Sequence, residues 1–150
     1  MSVQKSTKSA QETRAFARAF AKTLRSKKTG AQVIALEGHL GAGKTTFAQG
    51  FAKGLGVKEK ILSPTFLIVK SYDIPLGKSA FERFFHIDCY RVEKQKELLD
   101  LGWKDILKDP AHVVLVEWPE RVSAILPREY VRIQFVSQGA SSRTLDVNGA

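Results

Sequence analysis

Cysteine is almost absent from this 150-residue chain: Cys89 stands alone, so no internal disulfide can form. With only three histidines, well separated, there is also no Cys/His cluster of metal-ligand spacing. A reducing compartment such as the cytoplasm is the expected setting. Long apolar runs are missing as well. Nowhere do eighteen apolar residues follow one another, which excludes a membrane span, and Met1-Ser2-Val3-Gln4-Lys5 lacks the apolar core of a secretory signal. Acid is scarce: 15 Asp and Glu face 24 Lys and Arg, a net charge of +9. That balance favours anionic partners such as nucleotide phosphates, RNA or an acidic protein face, although scattered lysines also serve solubility. The chain has no internal repeats or low-complexity tracts, and its length suits one domain over residues 1–150 with no room for a separate substrate domain.

Against that plain background one segment stands out. Gly38-His39-Leu40-Gly41-Ala42-Gly43-Lys44-Thr45 matches G-x-x-x-x-G-K-[ST] at every fixed position, directly after the apolar run Val33-Ile34-Ala35-Leu36. The residues from Thr46 onward carry Phe47, Phe51 and Leu55 at fourfold spacing, one buried stripe of a helix, and close on Gly56 as a C-cap. Strand, glycine loop and helix in this order form a phosphate cradle. Gly38, Gly41 and Gly43 let the backbone turn its N–H groups inward, and the helix N-terminus adds partial positive charge. Lys44 is expected to reach the β and γ phosphates and the Thr45 hydroxyl to ligate Mg²⁺. A glycine-rich strand-to-helix turn with a solvated lysine is the bland alternative.

Around this motif the chain reads as interleaved helices and strands. Residues 5–28 hold Glu12 as their only acid, which loosely resembles an organelle transit peptide. A folded helix is the better reading, because Ser9-Ala10-Gln11-Glu12 has capping-box spacing and Phe16, Phe20 and Leu24 share one face. A strand over about 32–37 precedes the loop. Beyond the helix, Thr65 to Tyr72 and Phe81 to Asp88 are expected to pair as an antiparallel hairpin, with Ser63-Pro64 barring any helix. Short helical turns are expected over 97–107. A strand buried on both faces follows over 112–116, then a short helix over 122–126 and strands over 130–136 and 143–147. The fold class is α/β: a three-layer, P-loop NTPase-like sheet, mostly parallel, with its ligand at the carboxyl ends of the strands.

Two apolar strands run into acids. Phe84-Phe85-His86-Ile87 ends at Asp88 and Val113-Val114-Leu115-Val116 at Glu117. Magnesium between phosphates needs hard oxygen ligands, so Glu117 is assigned to the metal or its water shell. Asp88 is suited to hold a second metal-shell water or to position the attacking water, and the sequence leaves both open. Thr65 precedes its strand much as the γ-phosphate-sensing threonine of small GTPases does, yet Ser-Pro-Thr is also ordinary turn chemistry. Trp118 is suited equally to walling the nucleotide site and to the core. His86 and His112 read as packed polar edges of strands, and His39 as a loop residue facing solvent. Guanine readers of the Asn-Lys-x-Asp type need an asparagine within the sheet. Asn148, the one asparagine, lies near the end of the chain, so ATP is expected rather than GTP.

The phosphate loop with Thr46-Phe47, then Ser63-Pro64-Thr65-Phe66, His86-Ile87-Asp88-Cys89-Tyr90-Arg91 and Val116-Glu117-Trp118-Pro119, in this order, closely resembles the bacterial TsaE family over about residues 10–145. The resemblance implies an ATPase required for making threonylcarbamoyladenosine beside the anticodon of tRNA. It implies as partners the threonylcarbamoyl transferase and its paralogous partner subunit, which ATP hydrolysis resets, with tRNA met only through that complex. It further implies that Lys44 and Thr45 hold phosphate and Mg²⁺, that Glu117 serves the metal, and that Asp88, Thr65 and Trp118 support hydrolysis or its coupling. His39, Leu40, Ala42 and Thr46 line the nucleotide with the loop glycines, and Thr13 and Arg143 match nucleotide contacts more loosely. The family usually has Asp where this chain has His39. Two rivals remain: a small-molecule or nucleoside kinase, which needs a lid and acceptor pocket that are not evident, and a basic RNA-binding module, which needs alternating aromatic and basic residues that are not present.

Overall fold

The structure is a computed structural model and describes residues 2–39, 41–62 and 67–149. Among these residues seven strands form one sheet: β1 (Ser2–Thr7), β2 (Gln32–Glu37), β3 (Val69–Asp73), β4 (Arg83–Asp88), β5 (His112–Glu117), β6 (Val131–Ser137) and β7 (Arg143–Asn148). Their spatial order is β1-β7-β6-β2-β5-β4-β3. The neighbours β4, β5, β2 and β6 pair in parallel, while β3 on one side and β7 and β1 on the other pair antiparallel. The sheet is thus mixed rather than mostly parallel. The extra antiparallel flank arises because β6 turns straight back into β7 through residues 138–142, which leaves an edge for β1 to extend.

Among the described residues four helices accompany the strands: α1 (Ala10–Thr23), α2 (Lys44–Leu55), α3 (Gln95–Leu99) and α4 (Trp103–Lys108), with a 3₁₀ segment at Pro119–Ile125. Strand alternation sorts the core onto two faces. Ile34, Leu36, Phe84, Val113 and Leu115 pack with Ala17, Ala21, Phe47 and Phe51 of α1 and α2. Val33, Phe85, Ile87, Val114 and Val116 pack with Leu98, Trp103, Ile106 and Val122 on the other side. Each such Val, Leu, Ile or Phe side chain contributes about 1.5–3 kcal/mol by leaving water. β2, β4 and β5 are buried on both faces because helices cover both, whereas β6 alternates buried and exposed positions.

The expected N-terminal helix is present, with the Ser9 Oγ accepting from the Glu12 N–H at 3.1 Å and Phe16, Phe20 and Leu24 packed against the core. Gly56 ends α2, its N–H reaching the Lys53 carbonyl at 3.0 Å. The hairpin is present too, but β3 spans Val69–Asp73, later than the expected 65–72, and residues 63–66 lie outside the described set. β1 was not expected. It exposes every residue but Thr7 and is held by pairing with β7, so nothing apolar repeats along it to mark a strand. Among the described residues no helix is long and apolar enough to cross a membrane.

Candidate functional site

β2 delivers the chain to Gly38, and α2 begins at Lys44. Gly38 has φ 150° beside Phe135 and Ala42, where a Cβ would stand 3.1 Å from the Phe135 Cβ. Gly43 caps α2 with φ 104° in the left-handed region, which a side chain there would strain. The first helical bond joins the Phe47 N–H to the Gly43 carbonyl at 2.9 Å. Lys44, Thr45 and Thr46 therefore form the first turn, whose N–H groups have no helical acceptor and suit an anion.

Arg143 braces this loop from β7. Its Nε donates to the Ala42 carbonyl at 2.8 Å and its Nη2 to the Gly41 carbonyl at 2.9 Å, while Nη1 donates to the Ser142 carbonyl at 2.9 Å. A residue 101 positions away thus fixes the curvature of the cradle. Thr13 is buried, sharing a hydrogen bond with the Thr7 hydroxyl at 2.7 Å and donating to the Ser9 carbonyl at 3.2 Å. It borders, with Gly43, Thr46 and Arg143, a small cavity of about 110 Å³ beside the loop. His39 is exposed, as expected, and its carbonyl accepts from the Ala42 N–H at 3.1 Å. Leu40 and Thr65 lie outside the described residues.

In front of the loop a cleft of about 350 Å³ gathers Gly41, Gly43, Lys44, Thr45 and Thr46 with Asp88, Glu117, Trp118 and Arg143. Its two acids are register partners at the ends of parallel neighbours: Asp88 of β4 stands opposite Glu117 of β5, which stands opposite Leu36 of β2. Three strands therefore end level beside the loop, and their side chains converge. Tyr90 and Arg91 line the same cleft and were not among the expected site residues, although both follow Asp88 within the same motif.

Lys44 is only 5% exposed. Its Nζ donates to the Gly38 carbonyl at 2.5 Å and lies 3.6 Å from the centre of the Trp118 ring. Burial pushes its ammonium below the ordinary lysine range, and the carboxylates of Glu117, Glu120 and Asp88 push it back up. Asp88 is shifted the other way. Burial raises its carboxyl above the usual range and Glu117 adds to that, opposed first by the Tyr90 N–H that donates to it at 3.0 Å, then by His86 and Lys44.

Trp118 serves both of the roles left open for it, since it lines the cleft and packs against the far-face core. With φ 58° it is the one non-glycine residue at positive φ among the described residues. Such a backbone costs about 1 kcal/mol or more and persists where the surroundings hold it. Here they do: the ring sits 5.0 Å from Tyr90 and receives the Lys44 ammonium on its face.

His86 departs from its reading as a polar edge. It lies in β4, inside the sheet, with no exposed surface, and its Nε2 is 2.6 Å from the Glu117 Oε2. The sequence held only part of the signal: His86 and Asp88 are two apart in a strand and so share a face, while the contact with Glu117 follows from the pairing of β4 with β5. His112, at the start of β5, is held by the Ile106 carbonyl at 2.9 Å and does not line the cleft.

The donor set fits a nucleotide triphosphate with a hard cation. The left-handed Gly43 turns the backbone into the first turn of α2, whose free N–H groups suit a phosphate, and the buried Lys44 lines the same cleft. Among the described residues no three His, Cys, Asp or Glu side chains converge as a metal cage. Thr45 and Glu117 supply one hydroxyl and one carboxylate, and magnesium typically takes its remaining ligands from phosphate and water.

A family model described as threonylcarbamoyl adenosine biosynthesis protein TsaE matches residues 7–145. The tRNA threonylcarbamoyladenosine biosynthesis protein TsaE of Bacillus subtilis is 40% identical over 116 residues, covering 75% of this chain and 66% of that protein. The protein of the same name from a Nostoc species is 38% identical over 125 residues, covering 79% and 71%. Among solved structures, the crystal structure of YdiB from Bacillus subtilis superposes with a TM-score of 0.74 at 29% identity, over 99% of this chain and 86% of that one.

Proposed function

This chain belongs to the TsaE family, and from that premise we propose that it is a magnesium-dependent ATPase of P-loop NTPase type, serving tRNA threonylcarbamoyladenosine biosynthesis. Its ATP turnover resets a complex of the threonylcarbamoyl transferase and the transferase's paralogous partner subunit, and tRNA is met through that complex. The observation that carries this reading is the convergence of a glycine cradle, a buried lysine and two carboxylates at the ends of adjacent parallel strands.

Each side chain has a part it is suited to. Lys44 exchanges the Gly38 carbonyl for phosphate oxygen, so that its buried charge is neutralised on binding. Thr45 and Glu117 would hold a magnesium ion through one hydroxyl and one carboxylate, and the ion would supply charge neutralisation for the triphosphate. Asp88, more basic than an ordinary carboxylate, accepts a hydrogen bond from the attacking water and orients it. Trp118 and Tyr90 close one side of the cleft with apolar surface, which excludes water from the phosphates. Arg143 keeps the loop in its binding shape before any ligand arrives.

The test is ATP turnover of the purified chain, first alone and then with the transferase and its partner subunit. Slow hydrolysis that the complex stimulates supports the proposal. Lys44→Ala is expected to weaken triphosphate binding by roughly a hundredfold or more, the loss of a charge-assisted phosphate contact inside a buried site. No magnesium-ATP binding by the wild type, or full binding by the alanine variant, overturns the reading.

A further inference from the structure

The phosphate loop by itself has no use for the buried imidazole behind Glu117. His86 has no exposed surface, and its ring lies almost parallel to Phe84, with centroids 6.2 Å and planes 11° apart. Its Nε2 is 2.6 Å from the Glu117 Oε2, and Glu117 is itself only 3% exposed. A carboxylate oxygen accepts and does not donate, so the proton of this hydrogen bond sits on Nε2. The Nδ1 is buried and has no partner among the described residues.

We propose that His86 is a positioning residue for Glu117, locking one carboxylate oxygen so that the other is presented to the cleft. The register makes this possible. His86 stands opposite Leu115, two residues before Glu117 on the neighbouring strand, so the contact is a diagonal on the shared face of β4 and β5. Phe84 fixes the ring plane, the ring fixes Oε2, and the carboxylate loses its freedom to turn before any ligand arrives. An outer partner of this kind typically changes metal affinity or activity 10- to 100-fold.

The inference rests on the reading of Glu117 as the residue that serves magnesium, and the test separates the two. Affinity for a non-hydrolysable ATP analogue is measured with magnesium and with chelator for the wild type, His86→Gln and His86→Asn, together with the thermal midpoint of each. The Gln amide nitrogen reaches the place of Nε2 and donates there, whereas Asn is too short. Magnesium should tighten binding to the wild type. That gain should fall about 10- to 100-fold in the Asn variant and return close to the wild-type value in Gln, with chelator affinities alike in all three. His86→Phe keeps the ring stack and removes the donor, so if the Asn variant fails to fold, Phe against Gln decides. In a Glu117→Ala background, removing the His86 donor should cost nothing further. A full magnesium gain in the donor-less variants, an equal loss in Gln, or additive losses with Glu117→Ala overturn the proposal. A wild type indifferent to magnesium overturns instead the magnesium reading on which it rests.

Discussion

On the α1/α2 face of the sheet, alternate positions of β4 run Phe84, His86, Asp88 and those of β5 run Val113, Leu115, Glu117. One residue out of step, the opposite face carries Phe85, Ile87 and then Cys89, beside Val114 and Val116. The same strands thus hold apolar packing along both faces but end in acids on one side only. The loop and α2 lie on that side, so the acids that end both strands line the cleft at the start of α2. On the far face the same depth of burial makes a group inert. Burial pushes the Cys89 thiol up to about 12, out of the range in which a thiolate forms at neutral pH.

If the far face supplies packing and the near face supplies packing and chemistry, substitutions should separate stability from turnover. Trp103 is fully buried on the far face, with its indole N–H donating to the Ile125 carbonyl at 2.8 Å. Trp103→Ala should cost about 3–5 kcal/mol in denaturant unfolding, while nucleotide affinity of the fraction that remains folded stays near wild type. A matching fall in affinity would dissolve the contrast. On the near face, Gly50 of α2 meets α1 so closely that a Cβ would strike the Arg14 backbone carbonyl. Backbone cannot move aside cheaply, so Gly50→Ala should cost about 3 kcal/mol and shift α2 enough to weaken nucleotide binding as well.

Glu117→Ala should cut hydrolysis about a hundredfold, with ATP-analogue binding reduced less, because a ligand acting chiefly in the transition state lowers turnover. Equal turnover of variant and wild type would remove Glu117 from the site. The smallest effect is expected at Asp88. Its folded pKa is raised, so the folded state holds a proton that the unfolded state releases, and stability is lost as pH rises from the ordinary carboxyl range through the raised value. The penalty is complete once the pH exceeds the raised value. Asp88→Asn keeps the acceptor for the Tyr90 N–H and removes the charge, so the nucleotide-free protein should melt roughly 1–2 °C higher at pH 7.5, with the gain shrinking towards pH 4. Hydrolysis should fall at the same time. A gain that grows on acidification would reverse the sign of the shift.

Much of this arrangement was legible in local pattern. The apolar runs before Asp88 and Glu117, the fourfold phenylalanines of α2 and the capping spacing at Ser9 each state a rule whose partners lie within a few residues, and those elements stand where they were expected. β1 was not legible, because a polar edge strand is defined by its neighbour and not by its own periodicity. The antiparallel flank, the Tyr90 and Arg91 wall and the His86 contact share that origin: each depends on which strand lies beside which.

The sequence by itself determined that this chain carries a loop suited to an anion, because eight consecutive residues contain both the backbone freedom and the charge that such a loop needs. Only the tertiary structure decided how the cradle is completed. Arg143 reaches Ala42 across 101 positions, Trp118 adopts a backbone that its neighbours must hold, and His86 meets Glu117 because two strands pair in one register. Hydrogen bonds over such separations are fixed by the folding of the whole sheet, and no local spacing in the chain encodes them.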